Sequence, residues 1–137
     1  MRRLSLIVAE DDYFMREWLV TVLGCFDAEV RQATDGHELL DLLSSDGPVD
    51  LVISDIRMPG QTGLQALAAA RERGIEVPFL FITGYRAPDV EAEAARHGAD
   101  VLGKPVAARD LVARVRDICV PTVERDAGGL SPAKVGS

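Results

Sequence analysis

Four stretches of this chain carry residue types able to do chemistry: the acidic run Glu10-Asp11-Asp12, the isolated Asp55, Thr83-Gly84, and Lys104-Pro105. Taken singly, each has an ordinary reading. An acidic run after an apolar stretch most often caps a helix, and a lone Thr or Lys is usually structural or solvated. Gathered in one place, they would mean something else, because three carboxylates a few ångströms apart repel by about 4 kcal/mol per pair at the effective dielectric of a protein surface. A divalent cation would compensate that repulsion, and an all-oxygen donor set completed by water suits magnesium.

The elements that must position these residues can be read from hydrophobic pattern. Leu4 to Ala9, Leu51 to Ser54, Phe79 to Thr83 and the shorter Asp100 to Leu102 are continuous apolar runs, as expected of strands buried on both faces. Glu29 to Ala33 alternates more and predicts an edge strand. Segments of helical period separate them, so the pattern is βαβα and the sheet parallel. In such a sheet ligands gather outside the carboxyl ends of the strands, and all four stretches fall at those ends.

The first helix is expected from about Asp12 to Phe26, with Phe14, Trp18, Leu19, Val22, Leu23 and Phe26 on one stripe and Trp18 in the core. Thr34-Asp35-Gly36 predicts a turn and cap before the second helix, which carries Leu39, Leu40, Leu42 and Leu43, and Thr62 a cap for the third, which carries Leu64, Leu67 and Ala68. The fourth, Pro88 to His97, has Val90 as its only large aliphatic residue and should be weakly anchored. The fifth, about Ala107 to Cys119, places Leu111, Val112, Val115 and Ile118 on one face. From Pro121 onward Pro, Gly, Ser and charge dominate, so the reading is a domain over residues 1–120 and a flexible tail or truncated linker over 121–137.

Composition narrows the class further. With 137 residues, 47% hydrophobic and 27% charged, the chain matches one globular core. A formal charge of −7 argues against direct nucleic-acid binding, which needs clustered Lys and Arg. No apolar run is long enough to span a bilayer, and no cleavage site follows the short apolar start, so a cytoplasmic protein is expected. Cys25 and Cys119 show no metal-ligand spacing and read as buried or semi-buried thiols. His37 and His97, each in a helical segment, read as surface residues.

Glu10-Asp11 after the first strand, Asp55-Ile56-Arg57-Met58-Pro59 with Gly63 beyond, Thr83-Gly84 and Lys104-Pro105 together resemble the receiver domain of bacterial two-component response regulators, over about residues 2–120. The resemblance implies an α/β fold of flavodoxin type, doubly wound, with a five-stranded parallel sheet of order 2-1-3-4-5 and five helices. It makes Asp55 the phosphoacceptor. It makes Asp11 a direct ligand of Mg2+, with Glu10 acting through metal-bound water, Asp55 itself a ligand, and the backbone carbonyl of Arg57 completing the protein's share. Thr83 and Lys104 would each engage a phosphoryl oxygen, and a cis peptide would precede Pro105. Asp12 falls outside the pair, at the start of the first helix. The chemistry is consistent from below, since a carboxylate is a competent nucleophile and phosphoryl transfer asks mainly for positioning and charge neutralisation.

The family resemblance also implies partners: a histidine kinase or histidine phosphotransfer protein as donor, then a downstream protein or an output domain missing from this chain, with self-association left open. The chain is not expected to be an enzyme in the usual sense. Its fourth helix, fifth strand and fifth helix would form the responding face. Two positions depart from the family pattern, Val101 three residues before Lys104 and Val106 after Pro105, where an aromatic is common. The alternatives are an interaction domain of the same fold that works without phosphorylation, and a phosphohydrolase with Asp55 as covalent nucleophile. Arg57 weakens the latter, for it stands where a second acid would be needed.

Overall fold

In a computed structural model of the chain, residues 3–45, 47–84 and 86–120 are described. The expected tail from residue 121 lies outside them. Strands and helices alternate strictly: β1 (Leu4–Ala9), α1 (Tyr13–Leu23), β2 (Ala28–Ala33), α2 (Gly36–Ser44), β3 (Leu51–Ser54), α3 (Gly63–Glu72), β4 (Phe79–Thr83), α4 (Pro88–Arg96), β5 (Asp100–Gly103) and α5 (Ala108–Cys119). The chain divides into two compact units, residues 1–106 with the sheet and four helices, and residues 107–137 with α5.

The five strands run in the order β2-β1-β3-β4-β5, and every pair is parallel. β2 is an edge strand, as its alternation predicts. Successive strand side chains point to opposite faces. Ile7 and Ala9, Val52, Phe79 and Phe81 therefore share one face, where they form a buried cluster with Leu39, Leu40 and Leu43 of α2, Ala66, Leu67 and Ala70 of α3, and Ala94 of α4. Their intervening neighbours Leu6, Val8, Leu51, Ile53, Leu80 and Ile82 are buried as well, which explains why these strands read as unbroken apolar runs. Each such side chain contributes about 1.5–3 kcal/mol by leaving water.

The helix starts follow local chemistry. The Asp35 carboxylate accepts from the Glu38 N–H at 2.8 Å, and Thr62 and Gln65 form a reciprocal capping box at α3. α5 buries Leu111 and Val115, with Val112 and Ile118 half-buried.

Four expectations about α1 and its neighbourhood are corrected. α1 stops at Leu23, not Phe26, because the Gly24 N–H turns back to the Thr21 and Val22 carbonyls. Phe14 is 79% exposed rather than buried. It precedes the inward-facing Leu19 by five positions, which on an α-helix is about 140° around the axis. Trp18 is only half-buried for a related reason, one position from Leu19. Cys25, in the turn after α1, is exposed.

Candidate functional site

At the carboxyl end of β1 the chain passes into Glu10, whose N–H still pairs with the Ala33 carbonyl of β2 at 3.0 Å. That extension of the ladder keeps Glu10 buried at 1% exposure, while Asp11 next to it is exposed. Asp12 leaves the group. Its carboxylate accepts from the Met15 N–H at 2.7 Å and caps α1, as the sequence predicts. Asp55 follows β3 directly, with its N–H on the Ala9 carbonyl at 3.0 Å. Carboxylate oxygens of Glu10, Asp11 and Asp55 lie within 4.8 Å of one another.

The Asp55 carboxylate is held at both oxygens. Oδ1 accepts from the Ile56 N–H at 2.7 Å and, more weakly, from the Arg57 N–H at 3.3 Å. Oδ2 accepts from Lys104 Nζ at 3.1 Å. The same ammonium reaches Glu10 Oε1 at 3.4 Å, so one cation bridges carboxylates from β1 and β3. The Lys104-Pro105 peptide is cis. Thr83, buried at the end of β4, is joined to Lys104 through the main chain, with the Lys104 N–H on the Thr83 carbonyl at 2.8 Å. Gly84 beyond it is exposed, with open space where a Cβ would stand.

Close packing beneath the site explains Gly63. A Cβ there would lie 2.3 Å from the Asp55 carbonyl oxygen and 2.9 Å from the Phe81 ring, so only glycine lets α3 start so near Asp55.

Burial pushes the Glu10 carboxyl up to about 7, and the Asp55 charge adds to the rise, against the lowering pull of the Asp12 N–H and Lys104. Burial works against the charge on Lys104, yet its hydrogen bond to Asp55 and the charges of Asp55 and Glu10 outweigh burial and hold it above the ordinary lysine value.

Of the residues singled out by sequence, Glu10, Asp11, Asp55 and Lys104 are brought together, Thr83 joins through the β4–β5 connection, and Arg57 contributes its N–H. His37 is exposed on the first turn of α2, beside Gly60, and His97 is half-buried, its Nε2 3.4 Å from a Glu93 carboxylate oxygen. Arg16 went unnoticed in the sequence. Its Nη1 donates to the Glu10 carbonyl at 2.8 Å. No motif announces it, since its partners come from β1 and β2.

On the flank of the site, Met15, Trp18, Lys104, Pro105 and Val106 line an apolar groove. Near it on α1, Tyr13 is 58% and Phe14 79% exposed.

Comparison with known proteins agrees with this geometry. The response regulator receiver domain family matches residues 6–116. Response regulator MprA of Mycolicibacterium vanbaalenii is 36% identical over 129 residues, 93% of this chain and 55% of that protein. The chain thus spans about half the length of the curated relatives it matches. Among solved structures, a DNA-binding response regulator of the LuxR family from Staphylococcus aureus superimposes with a TM-score of 0.77 at 27% identity, covering 84% of this chain and 98% of that one. A CheY-like receiver domain protein from Methanospirillum hungatei gives a TM-score of 0.80 at 22% identity, over 93% of this chain and all of that one, and attests the shared fold. With the family matched from within β1 to within α5 and the acidic cluster in place at the strand ends, the chain belongs to the response regulator receiver domain family.

Proposed function

We propose that Asp55 accepts a phosphoryl group, and that the resulting aspartyl phosphate changes a partner-binding face. The observation that carries this reading is the placement of Asp55 Oδ2, which lies 3.1 Å from Lys104 Nζ at the edge of the three-carboxylate cluster. Oδ1 is engaged by two main-chain N–H groups that fix the rotamer, which makes Oδ2 the oxygen favoured as nucleophile. It would attack the phosphorus of a phosphohistidine, forming a P–O bond as the P–N bond to the imidazole breaks. Lys104 would follow the charge onto a phosphoryl oxygen, and the Thr83 hydroxyl would donate to another.

The donor set of Glu10, Asp11 and Asp55 is all oxygen, close-set and otherwise mutually repulsive, and so fits a magnesium ion. Asp11 and Asp55 would hold it directly, Glu10 through water, and the Arg57 carbonyl would complete the protein's share. When bound, the ion supplies positive charge to the transferring group.

Receiver domains are signalling modules, and here a protein donor, a histidine kinase or histidine phosphotransfer protein, suits the apolar flank beside Lys104. Tyr13, Phe14, Met15, Trp18, Pro105 and Val106 offer a surface that a small phosphate ester would not need. The output partner is proposed to be a protein.

The test is phosphorylation of wild type and Asp55→Asn in parallel by acetyl phosphate and by a phosphorylated donor, read by mass spectrometry. Wild type should gain one phosphoryl group in a magnesium-dependent manner and the variant none. Labelling of Asp55→Asn at the wild-type level would reject Asp55 as the acceptor.

A further inference from the structure

The peptide between Glu10 and Asp11 is the hinge from which both acidic side chains leave, and it is fixed on two sides. Its preceding N–H, that of Glu10, pairs with the Ala33 carbonyl at 3.0 Å. Its carbonyl oxygen, that of Glu10, accepts from Arg16 Nη1 at 2.8 Å. The same guanidinium donates from Nε to Gln32 Oε1 on β2 at 3.2 Å and stands 5.6 Å from the centre of the Tyr13 ring. A planar cation with several donors in fixed relation thereby ties the β1–α1 turn to β2.

We infer that Arg16 is a positioning residue for the metal-holding carboxylates: by clamping the Glu10 carbonyl against Gln32 it sets the plane from which Glu10 and Asp11 project. This rests on the phosphoacceptor reading above and deepens it, because Arg16 touches neither the ion nor the phosphoryl group and acts only through the turn that bears them. Groups that orient metal ligands from behind commonly change affinity by about ten- to a hundredfold when removed.

Two roles for Arg16 predict opposite signs. Were it merely one more charge near the site, its removal would relieve repulsion between two cations and tighten magnesium binding. As a clamp, its removal frees the turn and weakens binding. Lysine keeps the charge but cannot donate to the Glu10 carbonyl and Gln32 in one rigid fork, so it should restore binding in part.

Calorimetric magnesium titration of the full chain separates these outcomes, with wild type, Arg16→Ala, Arg16→Lys and Gln32→Ala compared under one buffer. Arg16→Ala is expected to bind roughly tenfold more weakly. Arg16→Lys should fall between it and wild type, and Gln32→Ala, which leaves every charge in place, should weaken binding about two- to threefold through loss of the exposed hydrogen bond that ties the guanidinium to β2. Arg16→Ala binding as tightly as wild type, or more tightly, overturns the inference while leaving the metal site intact. Should Arg16→Ala fail to fold, Gln32→Ala decides, and unchanged affinity there overturns it. A wild-type chain that takes up no magnesium overturns the metal reading itself, and this inference with it.

Discussion

Glu10 carries the site's most unusual electrostatic burden, since it is shut from water beside a second carboxylate. Its folded value of about 7 lies above the ordinary value of 4.5. A carboxyl whose folded value is raised favours the native state while protonated. Its contribution is therefore complete at low pH and is lost as pH rises from 4.5 through about 7. Bound magnesium would favour the ionised form and reverse that loss. The rise in melting temperature on adding magnesium should thus be larger near pH ~8 than near pH ~5.5, and Glu10→Gln should flatten the difference. Thermal denaturation at both values checks this, and equal magnesium shifts would count against it. The site carboxylates and Lys104 were legible in the sequence for a geometric reason: parallel strands all end at one edge, so residues just beyond them must meet. Arg16 was not legible, because the acceptors it joins are made neighbours by strand register alone. Phe14 and Trp18 misled because helix phase depends on which side meets the sheet, and α1 has apolar residues nearly all round.

Among the helices, α4 is anchored least. Ala94 is its only buried residue, and Ala87 at its start offers no side-chain cap, whereas α2 buries Leu39, Leu40 and Leu43 behind the Asp35 cap. The weakness was legible in the sequence, as was the Thr62 cap of α3. The end of α1 was not, because Cys25 and Phe26 prolong the apolar pattern past the turn at Gly24. The segment leading into α4 rests on β5 in an unusual way: Arg86 lies over Gly103, where a Cβ would come 2.8 Å from its Cδ, and pairs with Glu91 at 2.6 Å. Gly103 is the register partner of Thr83 and directly precedes Lys104, whose N–H pairs with the Thr83 carbonyl. A phosphoryl group drawing those two inward should therefore disturb this contact first. With Val101 half-buried in place of a large ring, the response is expected as a population shift and not one side-chain flip. Amide exchange should find α4 about tenfold or more less protected than α2, with the largest change on adding beryllium fluoride over residues 86–97. Changes confined to α2 and α3 would contradict it.

At the scale of the molecule, the sheet face that meets α2 and α3 and the candidate site share one support. Phe81, fully buried in the cluster with α2 and α3, also presses on the position where Gly63 admits the start of α3 under Asp55. Phe81→Ala should cost about 3–5 kcal/mol of stability by cavity formation, measured by urea denaturation, and should loosen magnesium binding as well. An intact affinity in the destabilised variant would mean that core and site are mechanically separate. The parallel sheet followed from the alternation of elements and its strand order from the family resemblance alone; the division at residue 106 followed from neither, since no composition shift marks it. The site is also assembled from residues that are far apart along the chain, with 49 positions between Asp55 and Lys104. During synthesis at ~5–20 residues per second, Asp55 would leave the ribosome roughly 2–10 s before the lysine that completes its surroundings. On the proposed role of Asp55, a nascent chain in that interval would hold the nucleophile without its cation, and its answer to a donor would wait until the fifth strand has docked.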